Sequence, residues 1–131
     1  MRDPAARGTV ATIALASGYT QTGEDGARGQ RQLIEAAGTL RILWPNTIGL
    51  VNRTDNIVWP ATGALVTDHF VAGSSGVVSQ SGGIWGSLLS RASAGGIGLS
   101  KLTSTGNDID LELADVIAHL ADDEATKVVA L

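Results

Sequence analysis

Short apolar segments alternate with helix-like segments along the second half of the chain. The apolar segments predict three strands, at residues 76–78, 99–104 and 127–131. The segments between them repeat apolar side chains at helical spacing and predict helices at residues 83–94 and 109–121. Strands that alternate with helices through short links favour a parallel, doubly wound α/β sheet.

The apolar stripes of these two helices predict which side chains face the sheet. In the first helix the stripe consists of Ile84, Leu88 and Ala92, which are spaced by four residues. In the second helix it consists of Ile109, Leu113, Val116, Ile117 and Leu120.

The first half of the chain begins with the same kind of alternation. Residues 9–15 and 40–43 predict strands, and residues 24–37 predict a helix that ends before Gly38. Residues 52–75 show no clear period and contain several turn-forming residues. They predict a long connection at a domain boundary.

Composition and charge exclude several classes of protein. The 131 residues include 44% apolar residues, which is enough for a domain with its own core. The net charge is −4 and the basic residues are scattered, so neither nucleic acid nor a membrane surface is an expected partner. The absence of cysteine excludes disulfides and thiolate nucleophiles and fits a cytoplasmic location.

Residues 10–16 allow a second interpretation, as part of a signal peptide. Arg2 and Arg7 flank the start of this apolar run, and Ala14-Leu15-Ala16 resembles a signal-peptidase site. However, Asp3 lies in the charged region and the run has only the shortest acceptable length. We therefore favour a buried strand.

Ser79-Gln80-Ser81-Gly82-Gly83 lies between a predicted strand and a predicted helix. The first N–H groups of a helix lack internal partners and carry the positive end of its dipole. Glycines let a ligand approach the backbone closely, and serines add hydroxyl donors. Such a turn suits a phosphate or another anion, although Ser81 as a simple N-cap is an open alternative.

A second polar turn, at residues 103–108, follows the next predicted strand. The carboxyl ends of parallel strands share one edge of a sheet, so this turn and residues 79–83 are expected to face one crevice. The alternative is a simple turn with Asn107 or Asp108 as a helix N-cap.

Two other chemistries have weaker support. Ser79-x-Ser81-x-Gly83 approximates the nucleophile elbow G-x-S-x-G, and His119 follows it in the order used by serine hydrolases. The motif is incomplete, and His119 falls within a helical pattern beside acidic residues. Metal binding is not expected, because His69 and His119 belong to no compact ligand motif.

Five segments, taken together, resemble motifs of the NDP-forming acyl-CoA synthetases. This is the succinyl-CoA synthetase-like superfamily, and the likeness is strongest to its ADP-forming acetyl-CoA synthetase branch. Residues 78–83 match the family's V-S-Q-S-G-[AG] turn, and residues 104–110 match S-x-G-N-x-x-D. The other three segments are residues 16–26, residues 41–52 (R-x-x-G-P-N-C-x-G-x-x-N) and residues 120–131 (L-x-x-D-x-x-T-K-V-I-x-L).

The resemblance implies a division of the chain. Residues 1–52 would be the C-terminal part of a CoA-binding Rossmann-like domain, and residues 53–75 a linker. Residues 76–131 would be the first half of a flavodoxin-like, parallel-sheet ligase domain. The family interconverts acyl-CoA, ADP and phosphate with acid, CoA and ATP through a phosphohistidine, using CoA and ADP or ATP with magnesium.

The resemblance also implies roles for particular residues. The family's phosphate-binding turn corresponds to Ser79, Gln80, Ser81, Gly82 and Gly83. The residues expected near the CoA thioester are Pro45, Asn46, Thr47, Thr105, Gly106 and Asn107. No residue of this chain matches a catalytic position of the family.

Several departures from the family limit what this chain is expected to do. Trp44 replaces the usual glycine and Thr47 the usual cysteine. The phosphorylated histidine, the stabilising glutamate and the ATP-grasp domain have no match here. We expect the missing domains, or a subunit that carries them, to be partners, and the chain alone to be inactive.

Two further expectations concern the chain by itself. A sheet that ends at residue 131 would expose an apolar edge, so the isolated chain is expected to be poorly stable, oligomeric or aggregated. The main alternative function is a stand-alone module that binds CoA, a nucleotide or phosphate without catalysis.

Overall fold

The computed structural model describes Pro4 and residues 6–43, 45–60 and 71–131. The strands of this part of the chain are β1 Ala11–Ile13, β2 Arg41–Leu43, β3 Gly49–Asn52, β4 Ile57–Pro60, β5 Ala72–Ser79, β6 Leu99–Ser104 and β7 Val128–Ala130. The α-helices are α1 Glu24–Ala37, α2 Trp85–Ala94 and α3 Leu113–Ala121, and 3-10 turns cover Thr20–Thr22 and Gly82–Ile84.

The described strands form two sheets, both of which contain parallel pairs. In the smaller sheet β1 lies parallel to β2, and α1 connects them. The larger sheet has the order β4-β3-β6-β5-β7, with β5 parallel to both β6 and β7. Because helices connect the parallel strands, the predicted α/β class is confirmed.

The hairpin of β3 and β4 corrects the prediction for residues 52–75. Instead of an irregular connection, β4 pairs antiparallel with β3, and β3 pairs antiparallel with β6. The turn between β3 and β4 is closed by the Asn52 side chain, whose Oδ1 accepts the Asp55 N–H at 3.1 Å. Asn56 follows with a φ of 55°, in the left-handed region that asparagine tolerates.

The sequence did not predict β4, because this strand is exposed at the edge of the sheet and has no buried face. Ile57, Val58 and Trp59 are all exposed, so apolar and polar side chains do not alternate. β5 also begins earlier than predicted, at Ala72. The domain limits themselves stay a prediction, and His69 and Trp44 lie outside the described residues.

α2 covers one face of the larger sheet. Trp85 and Leu89 are buried against a cluster of strand side chains, Val51, Val77, Leu99 and Leu102. Leu88 and Ala92 pack against this cluster as predicted, but Ile84 is 46% exposed. The prediction for Ile84 is wrong because residues 82–84 form a 3-10 turn, which changes the direction of the side chain before the α-helix begins.

α3 covers the opposite face of the same sheet. A Cβ at Gly76 would contact Leu120 at 3.0 Å, whereas the next residue, Val77, points towards α2. α3 begins at Leu113 rather than Ile109, and Glu112 is its N-cap, in a capping box with Asp115. The alternative of Asn107 or Asp108 as the N-cap is therefore wrong.

A partly buried ionic network closes the amino end of the larger sheet. Lys101 is 7% exposed and donates to Asp123 Oδ2 at 2.5 Å. Thr126 Oγ1 donates to the same carboxylate oxygen at 2.6 Å and lies 2.8 Å from Ser100 Oγ. The hydrogen bonds from Lys101 and Thr126 lower the pKa of Asp123 from 3.8 to about 2. The network thus joins β6 to the connection between α3 and β7.

None of the helices in the described part of the chain has both the length and the apolar character that crossing a bilayer requires.

Candidate functional site

Three connecting segments converge at the carboxyl ends of the strands. We call residues 79–83, which begin with the last residue of β5, the serine turn, and residues 105–108, after β6, the asparagine turn. Residues 45–48, after β2, are the proline loop. Together they contain every residue for which the sequence predicts a ligand role.

The serine turn and the asparagine turn are joined by two hydrogen bonds. The Thr105 backbone N–H donates to the Ser79 carbonyl at 3.0 Å. The Gln80 side-chain amide donates to Asp108 Oδ2 at 2.5 Å. The structure therefore brings together the two turns that the sequence predicts to share a crevice.

The asparagine turn packs directly on the proline loop. The Asn107 N–H donates to the Pro45 carbonyl at 3.0 Å. Gly106 has a φ of +70°, and a Cβ there would overlap the Pro45 carbonyl oxygen and lie 2.9 Å from the Thr47 nitrogen. Only glycine fits this close approach of two backbone segments.

The proline loop also contacts the serine turn. A Cβ added to Gly82 would lie 2.7 Å from Ile48 Cγ2, so the Ile48 side chain packs directly against the backbone of Gly82. Pro45 is fully buried, whereas Asn46 is exposed, with a φ of 60°. Asn46 is thus the residue of the loop whose side chain is most available to a ligand.

Thr47 has a different environment from the one that its predicted position near a thioester suggests. It is 3% exposed, and its hydroxyl donates to the Ser104 carbonyl. The same hydroxyl accepts the Gly49 N–H at 2.9 Å. Its side chain is therefore engaged inside the protein.

Thr105 and Asn107, at the two ends of the predicted group 105–107, are also buried or hydrogen-bonded within the protein. Thr105 is fully buried, and its Oγ1 has no hydrogen-bond partner among the described residues. Asn107 is half-buried, and its side-chain amide donates to Thr20 Oγ1 and Gln21 Oε1, both at 3.1 Å. Asn107 therefore connects the asparagine turn to the 3-10 turn before α1.

The serine turn presents its backbone to solvent. Ser81 is exposed, with an extended φ of −86° and ψ of 110°, and its N–H donates to Ser79 Oγ at 3.2 Å. Within the described residues its side chain makes no capping hydrogen bond, so the simple N-cap alternative is not supported. A Cβ at Gly83 would meet only Ser81 Oγ, at 4.0 Å, among the described atoms.

The start of this helix favours an anion. The leading N–H groups of a helix lack intrahelical acceptors, and the open space at Gly83 lets a ligand reach them. In the described structure neither the 3-10 turn nor the first turn of α2 carries an acidic side chain that would repel an anion.

The structure gives no support to a serine hydrolase. His119 lies in the last turn of α3, on the face of the sheet opposite to the one that α2 covers. It lines a cavity of about 360 Å³ with residues such as Thr12, Leu50 and Trp59, away from Ser81. The described residues also contain no group of three or more His, Asp or Glu side chains that could hold a metal ion.

Several residues make contacts in this site that were not predicted from the sequence. They are Thr20, Gln21, Ile48, Ser104 and Asp108. Each acts through a contact with a residue far away in sequence, which a single sequence does not reveal. Only Asp108 could have been recognised from its sequence neighbours, because a Gly-Asn-Asp segment is typical of a turn and aspartate tolerates the positive φ of 51° found there.

Comparisons with known proteins find a family model and relatives that match these segments. Residues 72–131 match the model of the succinyl-CoA ligase like flavodoxin domain. This range contains the serine turn, the asparagine turn and strands β5 to β7, so this part of the larger sheet matches a domain of that class.

Relatives cover almost the whole chain. It is 33% identical over 127 residues to the alpha subunit of acetate–CoA ligase [ADP-forming] II from Pyrococcus furiosus, covering 95% of this chain and 27% of the relative. The solved structure of PH0766 from Pyrococcus horikoshii OT3 superposes with a TM-score of 0.86 and 29% identity, over 99% of this chain and 29% of that one.

A third similarity concerns the fold alone. The acetyl-coenzyme A synthetase 1 of Ca. Korarchaeum cryptofilum, solved with phosphate and ADP, superposes with a TM-score of 0.86 at 23% identity, over 97% of this chain and 26% of that one. The chain spans about a quarter of the length of these proteins. These similarities support a partial chain of an ADP-forming acyl-CoA synthetase, corresponding to a part of the longer chains of these proteins.

Proposed function

We propose that this chain forms part of an ADP-forming acid–CoA ligase and supplies the turn that holds the transferred phosphoryl group. The overall reaction would interconvert acyl-CoA, ADP and phosphate with acid, CoA and ATP, by way of a phosphohistidine. The curated relatives are ADP-forming acid–CoA ligases, which supports the general kind of reaction.

The observation that carries the proposal is the geometry of the serine turn. Its exposed backbone begins a helix, it has open space at Gly83, and the described first turn lacks acidic side chains. These features suit a dianionic phosphoryl group, because backbone N–H donors and the helix dipole stabilise its charge without a mobile side chain.

The neighbouring segments would place the CoA thioester beside this turn. Pro45, Thr47, Thr105 and Gly106 are buried or packed, so they form the frame of the site. Asn46 offers an exposed amide group at its surface, whereas the Asn107 side-chain amide already donates to Thr20 and Gln21. The frame fits a ligand that reaches the phosphoryl group from the side of the proline loop.

The remaining chemistry would come from segments that this chain does not match. In our proposal the phosphohistidine, the stabilising glutamate and the ATP-grasp domain, with its nucleotide and magnesium, belong to a further part of the enzyme or to a partner subunit. The chain by itself would bind phosphate or CoA without turning them over.

Calorimetric titration with inorganic phosphate tests the proposal, using two substitutions of one residue. Gly83→Pro removes an N–H in the first helical turn, where proline is sterically tolerated, and should weaken binding about tenfold. Gly83→Ala keeps the N–H and should bind phosphate as the unmodified chain does. Equal affinity of the two variants, or no binding by the unmodified chain, would contradict the proposal.

A stand-alone binding module is the second candidate. The hydrogen bonds that join the serine turn, the asparagine turn and the proline loop all lie within this chain, so the site frame needs no partner. Titration with CoA, acetyl phosphate and ADP, before and after addition of a chain that carries the family's histidine motif, separates the candidates. A ligase part gains turnover on assembly, whereas a module does not.

A further inference from the structure

One peptide group lies between two segments of the candidate site and is engaged on both sides. The carbonyl of Ser104 accepts the Thr47 hydroxyl. The N–H of the same peptide, which belongs to Thr105, donates to the Ser79 carbonyl at 3.0 Å. Thr47 is 3% exposed, and Ser104 and Thr105 are fully buried.

The series of hydrogen bonds continues from this peptide through the Thr47 hydroxyl and reaches the serine turn at the Ser79 carbonyl. On one side the Gly49 N–H donates to Thr47 Oγ1 at 2.9 Å. On the other side the series ends at the Ser79 carbonyl, and the Oγ of the same residue separately accepts the Ser81 N–H at 3.2 Å. Hydrogen bonds arranged in series polarise one another, and they are strongest where water is excluded.

We infer that Thr47 is a positioning residue whose hydroxyl couples the proline loop to the serine turn. This inference rests on the proposed function, since it concerns CoA at the loop and phosphate at the turn. A ligand that fixes the proline loop also fixes the Thr47 hydroxyl, and with it the peptide that holds Ser79. CoA and phosphate should therefore bind with positive coupling.

The chemistry of the side chain defines the variants. Valine has the shape of threonine but leaves the Ser104 carbonyl and the Gly49 N–H without their partner. Serine keeps the hydroxyl and loses only a methyl group. Cysteine keeps a side chain of similar size, but its S–H group is a weak donor.

A second buried threonine provides the control for a purely structural effect. Thr126 is 8% exposed and its hydroxyl also makes two hydrogen bonds, to Asp123 and Ser100. It lies at the amino end of the sheet, away from the three segments of the site. Thr126→Val should therefore lower stability and leave ligand affinity unchanged.

The test is calorimetric titration of phosphate with and without saturating CoA. We expect CoA to raise the phosphate affinity of the unmodified chain about fivefold or more, a coupling of ordinary size. Thr47→Ser and Thr126→Val should keep this factor, Thr47→Cys should reduce it, and Thr47→Val should bring it close to one. An unchanged factor in Thr47→Val, or an equal loss in Thr126→Val, would overturn the inference.

The design of the experiment distinguishes a failure of the inference from a failure of folding and from a failure of the proposed function. If Thr47→Val does not fold, Thr47→Cys and Thr47→Ser give the same comparison, and equal coupling factors in these two would refute the coupling role. If the unmodified chain binds neither ligand, the proposed function fails. If it binds both and Thr47→Val retains the coupling, only the inference fails.

Discussion

The carboxylate of Asp110 accepts the backbone N–H of Ile42 at 2.5 Å and so connects residues 68 positions apart. The same carboxylate accepts Arg41 Nε at 2.9 Å, and the Leu111 N–H donates to the Ile42 carbonyl at 3.2 Å. Residues 110–111 are thus hydrogen-bonded to β2 at the side of the smaller sheet. This contact fixes the smaller sheet, and the proline loop that follows it, against the larger sheet.

Asp110→Ala should lower the free energy of unfolding by about 2 kcal/mol, because it removes hydrogen bonds to a charged acceptor and leaves the Ile42 N–H unpaired. Chemical denaturation monitored by circular dichroism measures this change. Asp122→Ala is the matched control, since Asp122 is an exposed aspartate at the C-cap of α3. Equal stability of the two variants would show that the Asp110 contact does not hold the sheets together.

Gly106→Ala should be more harmful than Gly96→Ala. Both glycines have a similar positive φ, of +70° and +67°, so both substitutions carry a conformational cost of about 1 kcal/mol. Only at Gly106 does the new Cβ also overlap a backbone oxygen, that of Pro45, whereas no described atom lies within 4 Å at Gly96.

Thermal and chemical denaturation of these two glycine variants give the difference directly. We expect Gly106→Ala to lose at least about 2 kcal/mol more than Gly96→Ala, a range typical of backbone strain and overpacking. Similar losses in both would mean that the asparagine turn and the proline loop are not packed as described.

Stability should fall between about pH 4 and pH 2 through the titration of Asp123. Its pKa is lowered from 3.8 to about 2, chiefly by the hydrogen bond from Lys101, so the ionised carboxylate is favoured in the folded state. This contribution is complete above the unfolded pKa and is lost as the pH falls through the folded pKa.

Lys101→Met separates the contribution of Asp123 to the pH dependence of stability from the contributions of the other carboxylates. Urea denaturation at pH 4.5 and at pH 2.5 should show a larger loss of stability in the unmodified chain than in Lys101→Met. The same loss in both proteins would mean that the Lys101–Asp123 pair does not contribute to the pH dependence.

Local sequence signals were sufficient for much of the fold. The helix at residues 24–37 and the strand at residues 99–104 have the bounds that the sequence predicts. In both elements the spacing of the apolar residues and the residues at the ends indicate the same bounds. Where local preference and tertiary contact differ, the prediction was wrong: residues 109–112 have an apolar pattern that continues into α3, but Asp110 is held by β2.

The candidate site was also predicted only in part. The position of the serine turn follows from a β-branched run, serines and glycines, which are all local features. The burial of Thr47 and its bond to Ser104 depend on a residue 57 positions away, and nothing near Thr47 in the sequence indicates them. The sequence thus predicts where the ligand-facing segments are, and the structure shows which side chains form their frame.

Nuclear magnetic resonance of the 15N-labelled chain during titration with inorganic phosphate tests the central claim most directly. If the serine turn holds a phosphoryl group, saturable amide shifts will be largest at Ser81, Gly82 and Gly83, and Gly83→Pro will weaken the shifts that remain. Saturable shifts centred elsewhere, or none in a folded chain, would contradict the account.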